Sequence, residues 1–224
     1  MTRQKFKRLP KHIGIIPDGN RRWSVKNGIP KEAGYTKGLL PGLMLYEICL
    51  ELGINEITFY GFTQDNTKRP QVQRKAFQKA CVDAVNMLSN RDASLLVIGD
   101  SNSTLFPSEL IPYIKRHTFG KDLIKINFLV NYSWKWDLNY ALVLKNLQPD
   151  NQHVNLINSI ASADISRIDL IIRWGCRRRL SGFLPVQSIY ADFYVVDQLW
   201  PDFTPEQFYQ ALSWYETQDV TLGG

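Results

Sequence analysis

The sequence predicts an α/β protein of one domain, built on a mainly parallel six-stranded sheet that is flanked by helices. Six short apolar or β-branched runs alternate with segments of helical spacing along the 224 residues, which is the order of successive βαβ units. Polar loops follow several of these runs, at the strand ends where open α/β sheets bind ligands. The sequence has no repeat, low-complexity tract or dividing linker, so residues 1–224 are expected to form a single domain.

The predicted strands are short runs of apolar, β-branched and aromatic residues. A parallel strand that is buried on both faces has a continuous apolar run, as Ile-Gly-Ile-Ile at 13–16 does. The fifth strand has one acid, Asp169, just ahead of its apolar centre. Strands are expected at 13–16, 57–62, 94–98, 123–130, 168–173 and 190–196.

The predicted helices carry apolar residues at three- and four-residue spacing. Gly28 and Gly53 follow two of them, in the position where a left-handed residue commonly ends a helix. Thr204 and Pro205 begin the last helix, with the acidic Glu206 in its first turn. Helices are expected at 23–27, 35–52, 73–89, 107–118, 137–147, 154–163 and 204–215, with a polar linker at 148–153.

Composition narrows the class of protein. Apolar residues make up 44% of the chain without an uninterrupted membrane-spanning run, and the basic start lacks the apolar core of a signal peptide, so a cytoplasmic protein is expected. The three cysteines lie far apart, which argues against a disulfide framework and a zinc site. A net charge of +6 indicates an anionic partner, and charge alone does not choose among nucleic acid, an acidic membrane surface and phosphorylated substrates.

The first loop, residues 18–22, follows the first strand and offers the groups that a diphosphate with Mg²⁺ requires. Asp18 supplies a carboxylate, Gly19 permits a tight turn, and Asn20 is a favoured N-cap of a helix that opens at Arg21. Arg22 adds a second guanidinium. A metal can bridge carboxylate and phosphate oxygens while amides and guanidinium groups neutralise the remaining charge. The alternative is an ordinary βα turn that only caps a helix.

The arginine loop, residues 173–181, follows the fifth predicted strand. It contains four arginines, with Gly175 allowing a close turn and Ser181 adding a hydroxyl, so it could hold a diphosphate through bidentate bonds. A solvated basic surface is the alternative. Apolar residues on both sides of the loop favour the functional interpretation, because its ends must enter the core.

Three further residues complete the candidate set. Asp192 lies in an apolar segment where an unpaired carboxylate would be costly, so it requires a metal or a cation, and a salt bridge to a nearby arginine is equally consistent. Asn66 and Arg69 belong to the second loop, residues 63–70, and turn capping explains Asn66 equally well. No glycine-rich nucleotide motif or nucleophile elbow is present, which argues against nucleotide hydrolysis, dinucleotide redox and α/β-hydrolase chemistry.

These stretches resemble the signatures of the cis-prenyltransferases, the undecaprenyl and dehydrodolichyl diphosphate synthase family. Residues 12–23 match the opening signature, 62–70 match the Phe-Ser-x-Glu-Asn-Trp-x-Arg-Pro loop, and 169–203 match the closing signature with its Leu-Trp-Pro-Asp-Phe ending. The resemblance covers nearly the whole chain. It implies the cis-prenyltransferase fold with a hydrophobic tunnel, a homodimer, Mg²⁺, an allylic diphosphate and isopentenyl diphosphate.

The resemblance also implies roles for individual residues. Asp18 would bind Mg²⁺ and diphosphate, and Asp192 stands where the family usually has a metal-binding glutamate. Asn66 and Arg69 would support the reaction centre. The allylic diphosphate would be bound by Gly19, Asn20, Arg21 and Arg22, and isopentenyl diphosphate by Arg173, Arg179 and Ser181.

Several positions depart from the family pattern. Tyr35 replaces the usual His, Thr67 the usual Trp, and Ser-Trp at 133–134 the usual Gly-Gly. Trp174 and Cys176 alter the Arg-Thr-Gly-Gly segment, and Arg177 reverses the charge of the usual Glu. The tail at 220–224 keeps two glycines and lacks the arginine of Arg-x-Gly, a role that Arg177 or Arg178 could take over. If Trp174 and Cys176 enlarge the arginine loop and Thr67 shrinks the second loop, the acceptor site would hold its substrate in a different orientation.

Three hypotheses follow. The first is condensation of an allylic diphosphate with isopentenyl diphosphate to give a cis-extended polyprenyl diphosphate. The alternative is irregular, non-head-to-tail coupling of dimethylallyl-type diphosphates, for which the departures would be the cause. The third is a non-catalytic subunit of a prenyltransferase, against which the presence of Asp18 counts. No nucleic-acid partner is expected because no known binding module is present, and peripheral contact with a membrane is left open.

Overall fold

A mainly parallel sheet of seven strands runs through the molecule and is flanked by helices. The structure, a computed structural model, describes residues 5–147 and 155–219. The predicted linker at 148–153 and the glycine tail at 220–224 lie outside the described residues.

The strand order is β4-β3-β5-β2-β1-β6-β7, and every neighbouring pair is parallel except β3 and β4. The six predicted strands are confirmed. The seventh, β4, is a two-residue antiparallel strand at one edge, too short for a sequence pattern to reveal. The strands are β1 (His12–Ile16), β2 (Glu56–Tyr60), β3 (Ala93–Ile98), β4 (His117–Thr118), β5 (Ile124–Leu129), β6 (Leu170–Trp174) and β7 (Asp192–Val196).

The α-helices match four of the predicted segments closely and divide a fifth. The segment predicted as one helix at 35–52 is two, α2 and α3, separated at Gly38, where an added Cβ would lie 2.8 Å from the Trp200 ring. The helices are α1 (Asn20–Lys26), α2 (Ala33–Lys37), α3 (Leu39–Leu52), α4 (Gln71–Leu88), α5 (Trp134–Leu147) and α6 (Pro205–Glu216).

Two predicted helices are wrong. The segment at 107–118 forms a 3₁₀ helix, Ser108–Tyr113, with Pro112 inside it, and then the short strand β4. A proline inside an α-helix removes a hydrogen bond and clashes with the preceding turn. In the described part of 154–163 the chain makes only a 3₁₀ turn, Ile157–Ser159, because the backbone N–H and hydroxyl of Ser162 donate to the buried Asp137 on α5.

Alternate residues of each strand face two apolar clusters. Ile13 and Ile15 contribute to the larger cluster with side chains of α3, α4 and α6, whereas Ile16 points to the smaller one on the other side. The period-two alternation of a strand explains this division. Among the described residues, no helix has the length and apolar character needed to cross a bilayer.

The register of the central strands brings three loops to one edge of the sheet. Ile16, the last residue of β1, stands opposite Arg173 near the end of β6, and β2 pairs with the other side of β1. All three strands are parallel, so the first loop, the second loop and the arginine loop leave the sheet together. The carboxyl edge of the sheet is therefore where the predicted site residues can meet.

Candidate active site at the carboxyl edge of the sheet

A polar cavity of about 700 Å³ opens where β1, β2 and β6 end. Its lining contains every residue that the sequence predicts for the site except Asp192. Three stretches that lie far apart in the chain therefore form one cavity. The predicted residues in its lining are Asp18, Gly19, Asn20, Arg21, Arg22, Asn66, Arg69, Arg173, Arg179 and Ser181.

The centre of the cavity is an ion pair between the first loop and the arginine loop. Arg173 Nη2 donates to Asp18 Oδ2 at 2.8 Å, and Arg22 Nη2 lies 3.2 Å from Asp18 Oδ1. The second contact is an ion pair at this distance without hydrogen-bond geometry. The Asp18 side chain stays 32% exposed, so its carboxylate remains accessible from the cavity.

Arg173 is almost completely buried, with 5% of its side chain exposed. Its Nη1 donates to Ser181 Oγ at 3.0 Å and to the Arg179 carbonyl oxygen. Tyr60 holds the same loop from β2, because its hydroxyl donates to the Ser181 carbonyl oxygen at 2.7 Å. A buried guanidinium requires such partners. Arg173 therefore links Asp18 to the end of the arginine loop and fixes the distance between them.

Two glycines allow the loops to approach each other. Gly19 has a φ of +115°, and an added Cβ would lie 2.9 Å from the Leu199 Cβ. Gly175 has a φ of +86°, and its added Cβ would meet Arg22 Nη2 at 2.4 Å and the Asp18 carbonyl oxygen at 3.0 Å. Left-handed backbone and close contact together exclude any side chain here.

The N-cap assignment at the first loop needs a correction. Gly19 occupies the cap position of α1, and Asn20 is the first helical residue. The Asn20 side chain turns back instead, and its Nδ2 donates to the Pro17 carbonyl oxygen at 3.0 Å. Its Oδ1 is buried and has no hydrogen-bond partner among the described residues, which leaves an acceptor beside the cavity.

In the second loop, Asn66 caps a turn as the alternative interpretation expected. Its Oδ1 accepts from the Thr63 backbone N–H at 3.1 Å in a capping box, while the residue also lines the polar cavity. Arg69 leaves the turn and donates from Nη1 to the Tyr35 hydroxyl at 2.8 Å. The sequence did not predict this contact, because Tyr35 belongs to a separate helix.

The charge of the cavity is strongly positive. Asp18 and Asp65 are the acidic side chains in its lining. An anion with several oxygens, such as a diphosphate, suits this excess of cations because guanidinium groups bind phosphate oxygens in pairs. The basic side chains in the lining are Arg21, Arg22, Lys31, Arg69, Arg173 and Arg179.

Asp192 lies away from this cavity. It begins β7 opposite Leu170, whereas Asp18 contacts Arg173, three residues further along β6, or roughly 10 Å at the rise of a strand. Burial raises the pKa of Asp192 above its usual value. The positive charge of Arg8 offsets part of this increase, and the negative charge of Asp169 adds to it. The chain therefore does not bring its own Asp192 to Asp18, and the described residues hold no cluster of three or more metal-ligating His, Cys, Asp or Glu side chains. A metal role for Asp192 stays a prediction.

An apolar cavity of about 90 Å³ adjoins the polar one, between α3, α4 and the sheet. The resemblance implied a hydrophobic tunnel and named no place for it. Phe77, Ala80 and Ala84 of α4 line it with a single aromatic ring followed by small side chains, a signal that was visible in the helical spacing. Six residues line both cavities: Pro17, Asn20, Tyr35, Tyr60, Gly61 and Phe77. The sequence reasoning missed this shared boundary, because its residues come from four separate parts of the chain.

The suspected remodelling of the acceptor site by Trp174, Cys176 and Thr67 stays a prediction, and Trp174 is not part of the cavity wall that it would have to change. Trp174 is fully buried, packs edge-on against Trp200 with ring centroids 4.8 Å apart, and donates from Nε1 to Gln207. The Thr67 hydroxyl donates to the Gln64 carbonyl oxygen at 2.6 Å inside the turn. Neither residue lines the polar cavity. Cys176 is exposed and has a φ of +59°, where the family pattern has glycine.

Comparison with known proteins agrees with this geometry. A family model described as "Putative undecaprenyl diphosphate synthase" matches residues 16–223. The ditrans,polycis-undecaprenyl-diphosphate synthase ((2E,6E)-farnesyl-diphosphate specific) of Escherichia coli is 31% identical over 229 residues, which cover 96% of this chain and 90% of that protein. The protein of the same name from Aliivibrio fischeri is 31% identical over 230 residues, covering 96% and 89%.

The fold also matches a solved structure. The crystal structure of lavandulyl diphosphate synthase from Lavandula x intermedia, in complex with dimethylallyl diphosphate, has a TM-score of 0.81. It is 21% identical in sequence, and the match covers 96% of this chain and 99% of that chain. At this identity the likeness concerns the fold alone.

Proposed function

The chain belongs to the cis-prenyltransferase family of undecaprenyl diphosphate synthases, and we propose that it condenses an allylic diphosphate with isopentenyl diphosphate to give a cis-extended polyprenyl diphosphate. The observation that carries this proposal is the pairing of Asp18 with the buried Arg173 in a basic cavity that adjoins an apolar one. A diphosphate ester with a hydrocarbon chain has the same two parts.

The chain's own residues would act mainly by charge neutralisation and orientation. The C–O bond of the allylic diphosphate breaks, the diphosphate leaves with the electron pair, and the double bond of the acceptor attacks the allylic carbon before the acceptor loses a proton. Arg21 and Arg22 of the first loop would hold the leaving diphosphate, and Arg69 would approach from the second loop. Arg179 and Ser181 would hold the acceptor diphosphate. Groups that are already aligned with developing charge lower the barrier without further reorganisation.

We propose Mg²⁺ as the cofactor, with Asp18 as its protein ligand. Mg²⁺ retains several waters and usually binds through one or two carboxylates together with substrate phosphates, so a single accessible carboxylate in a cavity for diphosphates fits it. The ion would neutralise charge on the leaving diphosphate. Asp18 would hold it on the side of the cavity that the first loop forms.

The partners that the proposal includes are the isoprenoid diphosphates and a second copy of the chain. Trp134, Leu138 and Leu142 stand four residues apart on α5 and are all exposed, Leu142 to 49%. An exposed apolar stripe of this kind supports a homodimer, which sedimentation of the pure protein would test. A cytoplasmic location and peripheral contact with a membrane remain part of the proposal. Sedimentation with lipid vesicles tests the membrane contact.

The proposed function is tested by the products. We expect the enzyme with Mg²⁺, labelled isopentenyl diphosphate and allylic diphosphates of five, ten and fifteen carbons to give linear products longer by whole isoprene units, with cis new double bonds by NMR. A parallel reaction with dimethylallyl diphosphate alone should give nothing. A branched product in that reaction would replace the proposal by irregular coupling, and the absence of any product from all substrates would leave only a non-catalytic role.

The two diphosphate positions can be separated by substitution. Arg179→Ala and Ser181→Ala are expected to raise the KM for isopentenyl diphosphate roughly tenfold and to change the KM for the allylic diphosphate much less, because each removes one contact to phosphate. Arg167→Ala is the control, since Arg167 is an exposed arginine that does not line the polar cavity. Equal increases for both substrates would contradict the division into two positions.

A further inference from the structure

Tyr35 stands at the boundary between the polar and the apolar cavity and lines both. Only 4% of its surface is exposed. Its hydroxyl faces Arg69 of the polar cavity, and its ring belongs to the wall of the apolar one. One side chain is thus in contact with the space for the diphosphate and with the space for the hydrocarbon.

The hydroxyl of Tyr35 holds a cation of the polar cavity. It accepts from Arg69 Nη1 at 2.8 Å. Burial raises the pKa of Tyr35, although Arg69 and Arg21 lower it, so the phenol is neutral near pH 7. A neutral hydroxyl accepts this bond without cancelling the charge of Arg69. The guanidinium has five N–H donors and keeps others for a ligand oxygen.

The ring of Tyr35 forms a parallel stack with Phe77 of α4. The ring centroids are 4.5 Å apart with an interplanar angle of 4°, and Arg69 lies over the Phe77 ring at 5.6 Å. Phe77 in turn meets Phe62 edge-on at 5.7 Å. The stacked rings therefore form part of the boundary between the cavities, and the hydroxyl bond and the ring contacts restrain the same guanidinium.

The backbone around Tyr35 is fixed by two close approaches. An added Cβ at Gly34 would lie 2.1 Å from the Asn20 carbonyl oxygen, and one at Gly38 would lie 2.6 Å from Asn20 Oδ1. The short helix α2 is thus pressed against the first loop on both sides of Tyr35. A ring carried on such a rigid segment is positioned by the same loop that contains Asp18.

We propose that Tyr35 is a positioning and specificity-determining residue of this site, and this inference rests on the proposed function. Through its hydroxyl it holds Arg69 in the orientation that binds diphosphate. Through its ring, stacked on Phe77, it forms a neck that limits how much of the allylic hydrocarbon passes from the polar into the apolar cavity. The two roles separate by substitution, because Tyr35→Phe removes only the hydroxyl and Tyr35→Leu also removes the stacked ring.

The hydroxyl role is tested by binding of inorganic diphosphate, measured by calorimetry and independent of turnover. We expect Tyr35→Phe to weaken binding roughly three- to tenfold, the range for one hydrogen bond. In an Arg69→Ala background the same change should have no further effect, because the hydroxyl acts through Arg69. Tyr46→Phe is the control, since Tyr46 is a buried tyrosine beside Arg91 that lines neither cavity. Equal losses in both backgrounds, or no loss in either, would overturn this role.

The ring role is tested by competition between donors of five and fifteen carbons. We expect Tyr35→Leu to raise the ratio of kcat/KM for the longer donor over the shorter roughly tenfold, and Tyr35→Phe to leave that ratio unchanged. An unchanged ratio in a folded Tyr35→Leu protein would overturn the neck. If the wild type turns over no isoprenoid diphosphate, the proposed function fails, and the calorimetric comparison still decides whether Tyr35 positions Arg69.

Discussion

Asp18→Asn is expected to lower kcat roughly a thousandfold while leaving the protein folded at the assay temperature, although the loss of the counter-charge to the buried Arg173 lowers the thermal unfolding temperature. Asp18 carries the carboxylate at the centre of the polar cavity, and the neutral amide that replaces it cannot neutralise Arg173 and is a much weaker ligand for a divalent cation. The fold should tolerate the change, because asparagine has the same shape and keeps an oxygen that can accept from Arg173 Nη2. The measurement is single-turnover kinetics with saturating substrates, beside thermal unfolding of the same samples.

The control for this prediction is Asp197→Asn. Asp197 is exposed, follows β7 and does not line the cavity, so the same change of charge should leave kcat within a factor of about two. Added Mg²⁺ should not restore the Asp18→Asn protein, since the negative charge that pairs with the metal and with Arg173 is missing. A variant with near wild-type turnover would remove Asp18 from the reaction and with it the reading of this cavity as the active site.

The parallel sheet and the meeting of the distant loops could be predicted from sequence because both depend on local patterns. Continuous apolar runs predict buried parallel strands, and polar residues at their carboxyl ends must then share one edge of the sheet. Asp18 and Arg173 contact each other because Ile16 stands opposite Arg173. The sequence could place both residues at that edge without knowing which strands are neighbours.

The features that the sequence did not reveal depend on tertiary contacts between elements. Trp174 looked like a change in the acceptor wall, but the alternation along β6 turns its side chain into the core against Trp200. Tyr35 was visible only as a departure from a pattern, and its importance comes from Phe77 and Arg69 on other elements. Asp192 was grouped with Asp18 by resemblance, whereas the register puts it at the other end of the strands.

The break between α2 and α3 has the same kind of cause. Helical spacing runs through Gly38 without interruption, so the pattern predicts one helix. The Trp200 indole occupies the space that a side chain at Gly38 would need, and its Nε1 donates to the Gly38 carbonyl oxygen at 2.8 Å. Gly38 is both the C-cap of α2 and the N-cap of α3, so the Trp200 side chain holds the residue at which the two helices meet. A residue 162 positions away in the chain decides where the helix ends.

Gly175→Ala is expected to lower kcat/KM roughly a hundredfold, the effect of moving reacting groups by about 1 Å. The added methyl group would lie 2.4 Å from Arg22 Nη2 and 3.0 Å from the Asp18 carbonyl oxygen, so both the guanidinium and the backbone of the first loop must move. The residue also has a φ of +86°, where a Cβ costs roughly 1–2 kcal/mol. Activity and stability are therefore both expected to fall.

Gly28→Ala separates these two effects. Gly28 has a φ of +67° and nothing within 4 Å of an added Cβ. Alanine there therefore adds the same kind of backbone strain without contacting the site. We expect both variants to unfold at a temperature a few degrees lower, roughly 2–4 °C for each 1 kcal/mol in a protein of this size, and only Gly175→Ala to lose activity. The measurement is kcat/KM at a temperature where both variants are folded. Equal activities of the two variants would contradict this prediction. They would mean that turnover does not require the close approach of the arginine loop to Asp18 and Arg22, because backbone strain alone would explain any loss in Gly175→Ala.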